Sequence, residues 1–305
     1  MQHAERLEEV LRYHERTKHH FARFAPGPGQ LDWANQPDPF RRFEGAPLTP
    51  LPLLAPDAEP ASPAYERLYE PDAVISAPVD LRSLSRLLEH ALALSAWKEA
   101  YGTRWALRVN PSSGNLHPTE GYVFIGSIRE LGESPGLFHY ASREHALERR
   151  ADCPSTLFSV LTRDLPKDAF FVGLSSVYWR EAWKYGERAF RYCQHDAGHA
   201  IGAIRIAAAT LGWSARVLDD VADETLEALL GVDRSADFEG AERESGELVM
   251  AIWPGRVTTN ASNLDPQAVQ EMKGQRWYGK ANRLSRDDPV RWDVIDTVSE
   301  ASRKP

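Results

Sequence analysis

The stretch RVNPSSGNLHPTEGYVFI, residues 108–125, decides how this chain is read, because it changes character at its midpoint. Its first half is turn-prone: Asn110, Pro111, Ser112, Ser113 and Gly114 run together ahead of Asn115-Leu116-His117-Pro118. Its second half, GYVFI, is aromatic and β-branched, as a core strand requires. The loop is either a plain turn leading into a strand or a polar cradle for a ligand. Ser112, Ser113 and Asn115 supply hydroxyl and amide groups, and Gly114 lets the backbone bend until N–H groups converge. Such a loop can hold a phosphate, a ribityl chain or the polar edge of a planar ring.

Working outward, GYVFIGS (121–127) is matched by two more strand candidates, AFFVGLSSV (169–177) and ELVMAIW (247–253). Between the last two, a long helix is expected from about Phe190 to Leu211, with Ala197, Ile201, Ile204, Ala208 and Leu211 on its buried face. Gly198 and Gly202 would let a partner helix approach it closely. DLRSLSRLLEHALAL reads as a helix capped by Asp80, and DETLEALLG as a shorter one ending in a glycine. The chain opens with an amphipathic helix, then loosens around APGPGQLDW. Residues 46–64 are rich in proline and alanine and should run extended over the surface, docked through their leucines. NRLSRDDPVRWDVIDTV suggests a last helix. Strands and helices without strict alternation give an α+β class.

At 305 residues the chain has ample length for a core, and 42% hydrophobic with 26% charged residues is a globular balance. A formal net charge of −8 argues against general nucleic-acid binding. No apolar run has the length of a membrane span, and the charged N-terminus has no signal-peptide core. Cys153 and Cys193 form neither a disulfide framework nor a zinc spacing, so a cytoplasmic setting is expected.

Two further clusters carry chemistry-bearing residues. In YWREAWKYGERAFRYCQHDAGH (178–199), Lys184 and Tyr185 stand among Arg180, Arg188 and Arg191. Nearby cations would depress the pKa of Lys184 and favour the anion of Tyr185, which suits proton transfer. A surface helix with solvated charges is the alternative. His195 and His199 are spaced i, i+4 on one helical face, as a metal pair requires, but the HExxH glutamate is missing and no third ligand stands out. No metal is expected there. YHERTKHH near the N-terminus reads as a solvated helix end, and Cys193 as a structural cysteine.

Taken together, RVNPSSGNLHPTEGYVF, KYGERAFRYCQHDAGHAIGAIRIAAATLGW and LDDVADETLEALLGVD resemble the nitroreductase superfamily, closest to its SagB/ThcOx-type dehydrogenase branch. The resemblance covers about residues 80–255. It implies a mainly antiparallel sheet flanked by helices, with an FMN cofactor. Pro111, Ser112, Ser113, Gly114 and Asn115 would then contact the flavin, usually at the interface of a homodimer. Arg108 falls at a basic position that can meet the phosphate, with Arg104, Arg188 and Arg283 as other candidates. Lys184 and Tyr185 match the pair assigned to proton abstraction in azoline oxidation, and Leu218-Asp219-Asp220 falls beside the isoalloxazine ring. The substrate would be a small molecule or a modified peptide.

The chain departs from the family where an RRS-x-R phosphate motif is usual, for only Arg82-Ser83-Leu84-Ser85-Arg86 echoes it, within a helix. The expected layout is an N-terminal helical and proline-rich extension (1–70), a flavin domain (71–256) and a C-terminal extension (257–305). A catalytically silent partner domain in a biosynthetic assembly is the alternative reading.

Overall fold

The computed structural model describes residues 3–54, 63–70 and 73–305, so residues 55–62 of the proline-rich stretch and the boundary at 71 lie outside the described residues. The strands are β1 (Phe43–Glu44), β2 (Leu48–Pro50), β3 (Leu94–Ala100), β4 (Thr103–Arg108), β5 (Thr119–Ile125), β6 (Gly136–Ala141), β7 (Ala146–Asp152), β8 (Phe170–Ser176), β9 (Trp213–Val217), β10 (Ser245–Pro254) and β11 (Lys280–Ala281). The α-helices are α1 (His3–Thr17), α2 (Leu81–Glu89), α3 (Ser155–Leu161), α4 (Tyr178–Tyr185), α5 (Ala189–Thr210), α6 (Asp223–Leu230), α7 (Pro266–Lys273) and α8 (Asp293–Ser302).

Seven strands form one sheet in the order β2-β7-β6-β5-β8-β10-β9, and every neighbouring pair is antiparallel. The fold is α+β, as the sequence predicts. Period-two alternation divides the central strands between two cores. Tyr122, Phe124 and Phe171 face one layer with Leu226, Leu229, Val269 and Met272. Val123, Ile125, Val172 and Leu174 face the other, with Leu84, Leu87, Leu88, Ala200 and Ile204. Covered on both faces, β5 and β8 are buried along their whole length.

Three sequence expectations change in detail. The helix predicted over 80–94 is capped by Asp80, whose side chain accepts from Ser83 N, but it stops at Glu89. There the N–H groups of Leu92 and Ala93 both turn back to the Leu88 carbonyl, and the chain leaves as β3 of a two-stranded hairpin. In the proline-rich stretch, residues 48–50 are an edge strand on β7, where Pro50 removes no interior ladder bond. The face of α5 around Gly198 and Gly202 is open, with nothing within 4 Å of either absent Cβ among the described residues.

The sheet is threaded by buried charge. Arg180 pairs with Glu120, whose other oxygen meets His139 Nε2 at 3.1 Å. His139 Nδ1 meets Glu148 at 2.9 Å, and Arg42 Nε donates to Glu148 at 2.6 Å. Burial opposes the charge on His139, but its two carboxylate hydrogen bonds win and raise it to about 9. Arg180, then the His139 hydrogen bond and the charge of Arg108, hold Glu120 well below the usual carboxylate range against the cost of its burial. Removing one member of such a chain strands the others. Arg180→Met is therefore expected to destabilise the protein by roughly 3–5 kcal/mol, read as a lower urea midpoint at unchanged slope.

Candidate functional site

The loop at residues 110–117 is bent hard and held from several sides. Gly114, Asn115 and His117 all have left-handed backbone, with φ of 61°, 61° and 51°. For the two residues that carry a Cβ this costs roughly 1 kcal/mol each, so surrounding bonds must impose it. They come first from Asp196 on α5. Its carboxylate accepts from Ser112 Oγ at 2.7 Å, from Ser113 Oγ at 3.1 Å and from Ser113 N at 3.0 Å. Ser112 Oγ in turn accepts from His117 N at 2.8 Å, closing the loop on itself. Asn115 Nδ2 donates to the Ala106 carbonyl, and Arg180 Nη1 to that of His117, each at 2.8 Å.

The crest of this loop lies against Lys184 and Tyr185. A Cβ on Gly114 would sit 2.5 Å from Tyr185 Oη and 3.0 Å from Lys184 Nζ, so a side chain there would push both groups aside, and the φ of 61° favours glycine as well. The loop and the Lys-Tyr pair, about seventy residues apart in sequence, are thus one surface. α4 ends immediately beyond them at Gly186, with φ 52° and ψ −127°, where a Cβ would press on Gly27 and Trp292. Lys184 Nζ has no hydrogen bond or ion pair among the described residues and lies 5.5 Å from the Tyr185 ring centroid. The Tyr185 ring packs on Tyr192 at 4.4 Å.

With this geometry in place, the likeness to known proteins becomes informative: residues 75–241 match the Nitroreductase family. The chain belongs to that family. Its members are oxidoreductases that generally use a flavin. A Methanocaldococcus jannaschii protein named as a nitroreductase is 26% identical over 143 residues, 45% of this chain and 67% of the relative. A nitroreductase crystal structure from Anabaena variabilis superposes with a TM-score of 0.59 at 26% identity, covering 80% of this chain. This chain spans only 46% of that structure's length. The E. coli microcin synthetase McbBCD complex with truncated pro-MccB17 is similar over 68% of this chain and 78% of its own, at 19% identity and a TM-score of 0.46.

In this nitroreductase-family chain the expected anion of Tyr185 is overturned. Burial, followed by the charges of Glu181, Tyr192 and Asp196, pushes Tyr185 up to about 12, so it is a neutral phenol. The arginines that were to favour the anion are committed elsewhere. Arg180 serves Glu120 and the carbonyls of His117 and Asp38, Arg188 the Thr17 carbonyl and Tyr192, and Arg191 Thr17 Oγ1 and the His14 carbonyl.

The other anticipated residues are dispersed. Arg108 is buried at the end of β4, donating to the carbonyls of Thr119 (3.1 Å) and Pro39 over the Phe40 ring. Pro111 is exposed beside the crest. Leu218 is in the core, and the Asp219 carbonyl accepts from Lys304 Nζ at 2.7 Å; neither has a hydrogen bond to the loop among the described residues. His195 and His199 are exposed, and no group of three or more potential metal ligands occurs among the described residues.

Sequence reading missed Asp196 and Glu181. Asp196 shares the buried arc of α5 with Cys193, Ala197 and Ala200, and a carboxylate on such an arc must find donors. That phase was readable; its partner, the serine loop, was not. Glu181 gave no signal beyond its place in α4.

Buried polar atoms without partners gather here: Arg108 Nε, Asn110 Oδ1, His117 Nδ1, Thr119 Oγ1 and Arg180 Nη2. Water or a polar ligand must satisfy them, and the mixed donors and acceptors fit a phosphate- and hydroxyl-bearing group. His117 is neutral, since burial and then Arg108 and Arg180 push it down to about 3. A cavity of about 830 Å³ lies elsewhere, between Ile125, Phe158 and Lys167. At the loop, Pro111 and Gly114 face open solvent. Asp196→Ala is expected to speed amide exchange at Ser113 about tenfold or more, equivalent to roughly 1.5–3 kcal/mol for a charge-assisted hydrogen bond.

Proposed function

We propose that this chain is an FMN-dependent oxidoreductase of the SagB type, in which the loop at 111–115 forms a wall of the flavin site and Lys184 with Tyr185 handles a proton of the substrate. The observation that carries this reading is the crest of Gly114 lying directly against Tyr185 Oη and Lys184 Nζ. A plain turn needs neither that approach nor left-handed backbone at Asn115 and His117. Bound FMN would supply a two-electron acceptor beside these residues.

The chain's own groups divide the remaining work. Ser112 and Ser113 direct their hydroxyls inward to Asp196, so the loop offers a ligand its outer backbone, with Pro111 and Gly114 foremost. Asn115 braces the loop from Ala106. Arg108, with Nε unpartnered, is the favoured phosphate group over Arg188. Lys184 is the base, and neutral Tyr185 holds and returns a proton through its hydroxyl. The open face of the loop suits completion by a second copy in a homodimer. Oxidation of an azoline in a modified peptide is the reaction class this pair supports, with a small-molecule substrate as the other option.

A catalytically silent role in a larger biosynthetic assembly is the second reading. It is favoured by the commitment of Arg108, Arg180 and Arg188 to backbone carbonyls, and by Arg82 and Arg86 lying inside α2.

The readings separate in purified protein. The first predicts flavin absorbance, or its recovery on titration with FMN. It also predicts that Lys184→Ala and Tyr185→Phe bind FMN like the parent but lose about 10²–10⁴-fold in turnover of an azoline peptide. A protein that neither retains nor rebinds FMN would overturn it.

A further inference from the structure

Between α1 and Trp33 the chain makes an excursion outside the family match, which begins at residue 75. Its feet stand on the segment that carries Lys184 and Tyr185. At the first foot Arg188 donates to the Thr17 carbonyl, and Arg191 Nη2 to Thr17 Oγ1 at 3.0 Å. The Arg188 guanidinium lies 5.0 Å from the ring of Tyr192, which in turn packs on Tyr185. At the second foot a Cβ on Gly186 would lie 3.0 Å from Gly27 Cα, and Trp183 Nε1 donates to the Asp32 carbonyl at 2.9 Å. Residues 18–26 could span about 30 Å if extended. Instead they leave beside Arg188 and return to Gly186, two positions away, so they close on themselves as a compact surface loop.

The loop is held by its own groups. The backbones of His20 and Arg23 exchange hydrogen bonds at 2.8 and 3.2 Å, Ala25 N donates to His19 Nδ1 at 3.4 Å, and the His19 and Phe24 rings meet edge-on at 5.2 Å. Pro26 and Pro28 stiffen its return. Outward it presents Phe21, which is fully exposed, and Phe24, which is 74% exposed. A lone surface phenylalanine is ordinary, but two on one short loop beside a candidate site mark an interaction surface. Arg23 stands between them in sequence, donating to the Glu15 carbonyl at 3.0 Å, with no ion pair among the described residues. Arg16 and Lys18 are already paired, with Glu187 and Glu15, so Arg23 is the cation of this patch that is left to take a carboxylate. In a chain of formal net charge −8, such a patch draws an acidic segment that the rest of the surface repels.

We propose that residues 18–26 are a recognition loop for the polypeptide that flanks the reacting residue of the substrate. Phe21 and Phe24 take an apolar or aromatic side chain, and Arg23 takes an aspartate or glutamate of the same segment. A peptide fits better than a small molecule because the loop stands to the side of the Lys184–Tyr185 turn. Its feet meet Trp183, Gly186, Arg188 and Arg191, so a ligand that touches both the turn and the phenylalanines must extend well beyond its reacting group. The two feet and the internal bonds shape the loop before binding, which limits the ordering cost. The inference rests on the reading that the substrate is a modified peptide, and no bond is made or broken at the loop.

Equilibrium binding to the full chain tests this without any turnover. The probe is a short fluorescein-labelled peptide with a central thiazoline flanked by glutamate and phenylalanine, set against a copy with lysine in place of each glutamate. Fluorescence anisotropy should show the parent preferring the acidic peptide. Phe21→Ala with Phe24→Ala should weaken binding of that peptide by about tenfold or more, and Arg23→Glu should abolish or invert the preference. Because these side chains are exposed, the variants should melt with the parent. Variants that bind the acidic peptide like the parent would overturn the proposal, as would a parent that binds neither peptide. So would a loop that carries the protein onto phosphatidylserine vesicles while its substitutions leave peptide binding unchanged. Flavin is read separately by absorbance: a yellow protein without the Arg23-dependent preference loses the loop and keeps the flavin reading, and a colourless one with that preference does the reverse.

Discussion

Arg180 is the point on which the rest of the structure turns. A fully buried guanidinium cannot remain unpaired, and its partners come from three places at once. It bonds the carboxylate of Glu120 on β5, the carbonyl of His117 at the end of the loop and the carbonyl of Asp38 in the N-terminal segment. Because Arg180 lies near the start of α4, satisfying it sets where Lys184 and Tyr185 stand relative to the loop. Glu120 passes the constraint through His139 to Glu148 and Arg42, so the N-terminal segment is locked to the sheet by the same chain of charges. The loop is fixed from its other side by Asp196, and between these two anchors Gly114 has one place to be.

The site so built is short of cations. Its arginines are turned to carbonyls and carboxylates, while Glu181 and Asp196 are buried close behind Lys184 and Tyr185. Burial, reinforced by the neighbouring carboxyls, keeps Tyr185 a phenol, and burial with the charges of Arg108 and Arg180 keeps His117 a neutral imidazole. On the proposed reading, Lys184, which has no salt-bridge partner among the described residues, handles a substrate proton beside a neutral Tyr185. This differs from a site in which arginines hold a tyrosinate ready.

Legibility in the sequence followed the local pattern. β5, β8 and β10 were readable because their residues alternate or run apolar between turn signals, and α5 because its buried stripe holds the helical period. β6 and β7 were not, because His139, Glu148, Arg149 and Arg150 interrupt any hydrophobic pattern. They are buried or nearly so because each finds a partner on another strand or segment. The β3–β4 hairpin was hidden by Leu92 and Leu94, which extend the apolar stripe of α2 past its true end. Within the site, the loop and the Lys-Tyr pair were found as separate segments. Their contact, the Asp196 clamp and the burial of Glu181 exist only across elements, where no spacing rule reaches.

The central claim is that the loop crest and the Lys184–Tyr185 turn form one ligand-binding surface. Amide hydrogen exchange with and without FMN tests it most directly. The account predicts slower exchange in the peptides covering both residues 111–116 and residues 183–188 when FMN is added. Flavin binding that leaves both peptides unchanged, and protects a different part of the chain, would contradict it.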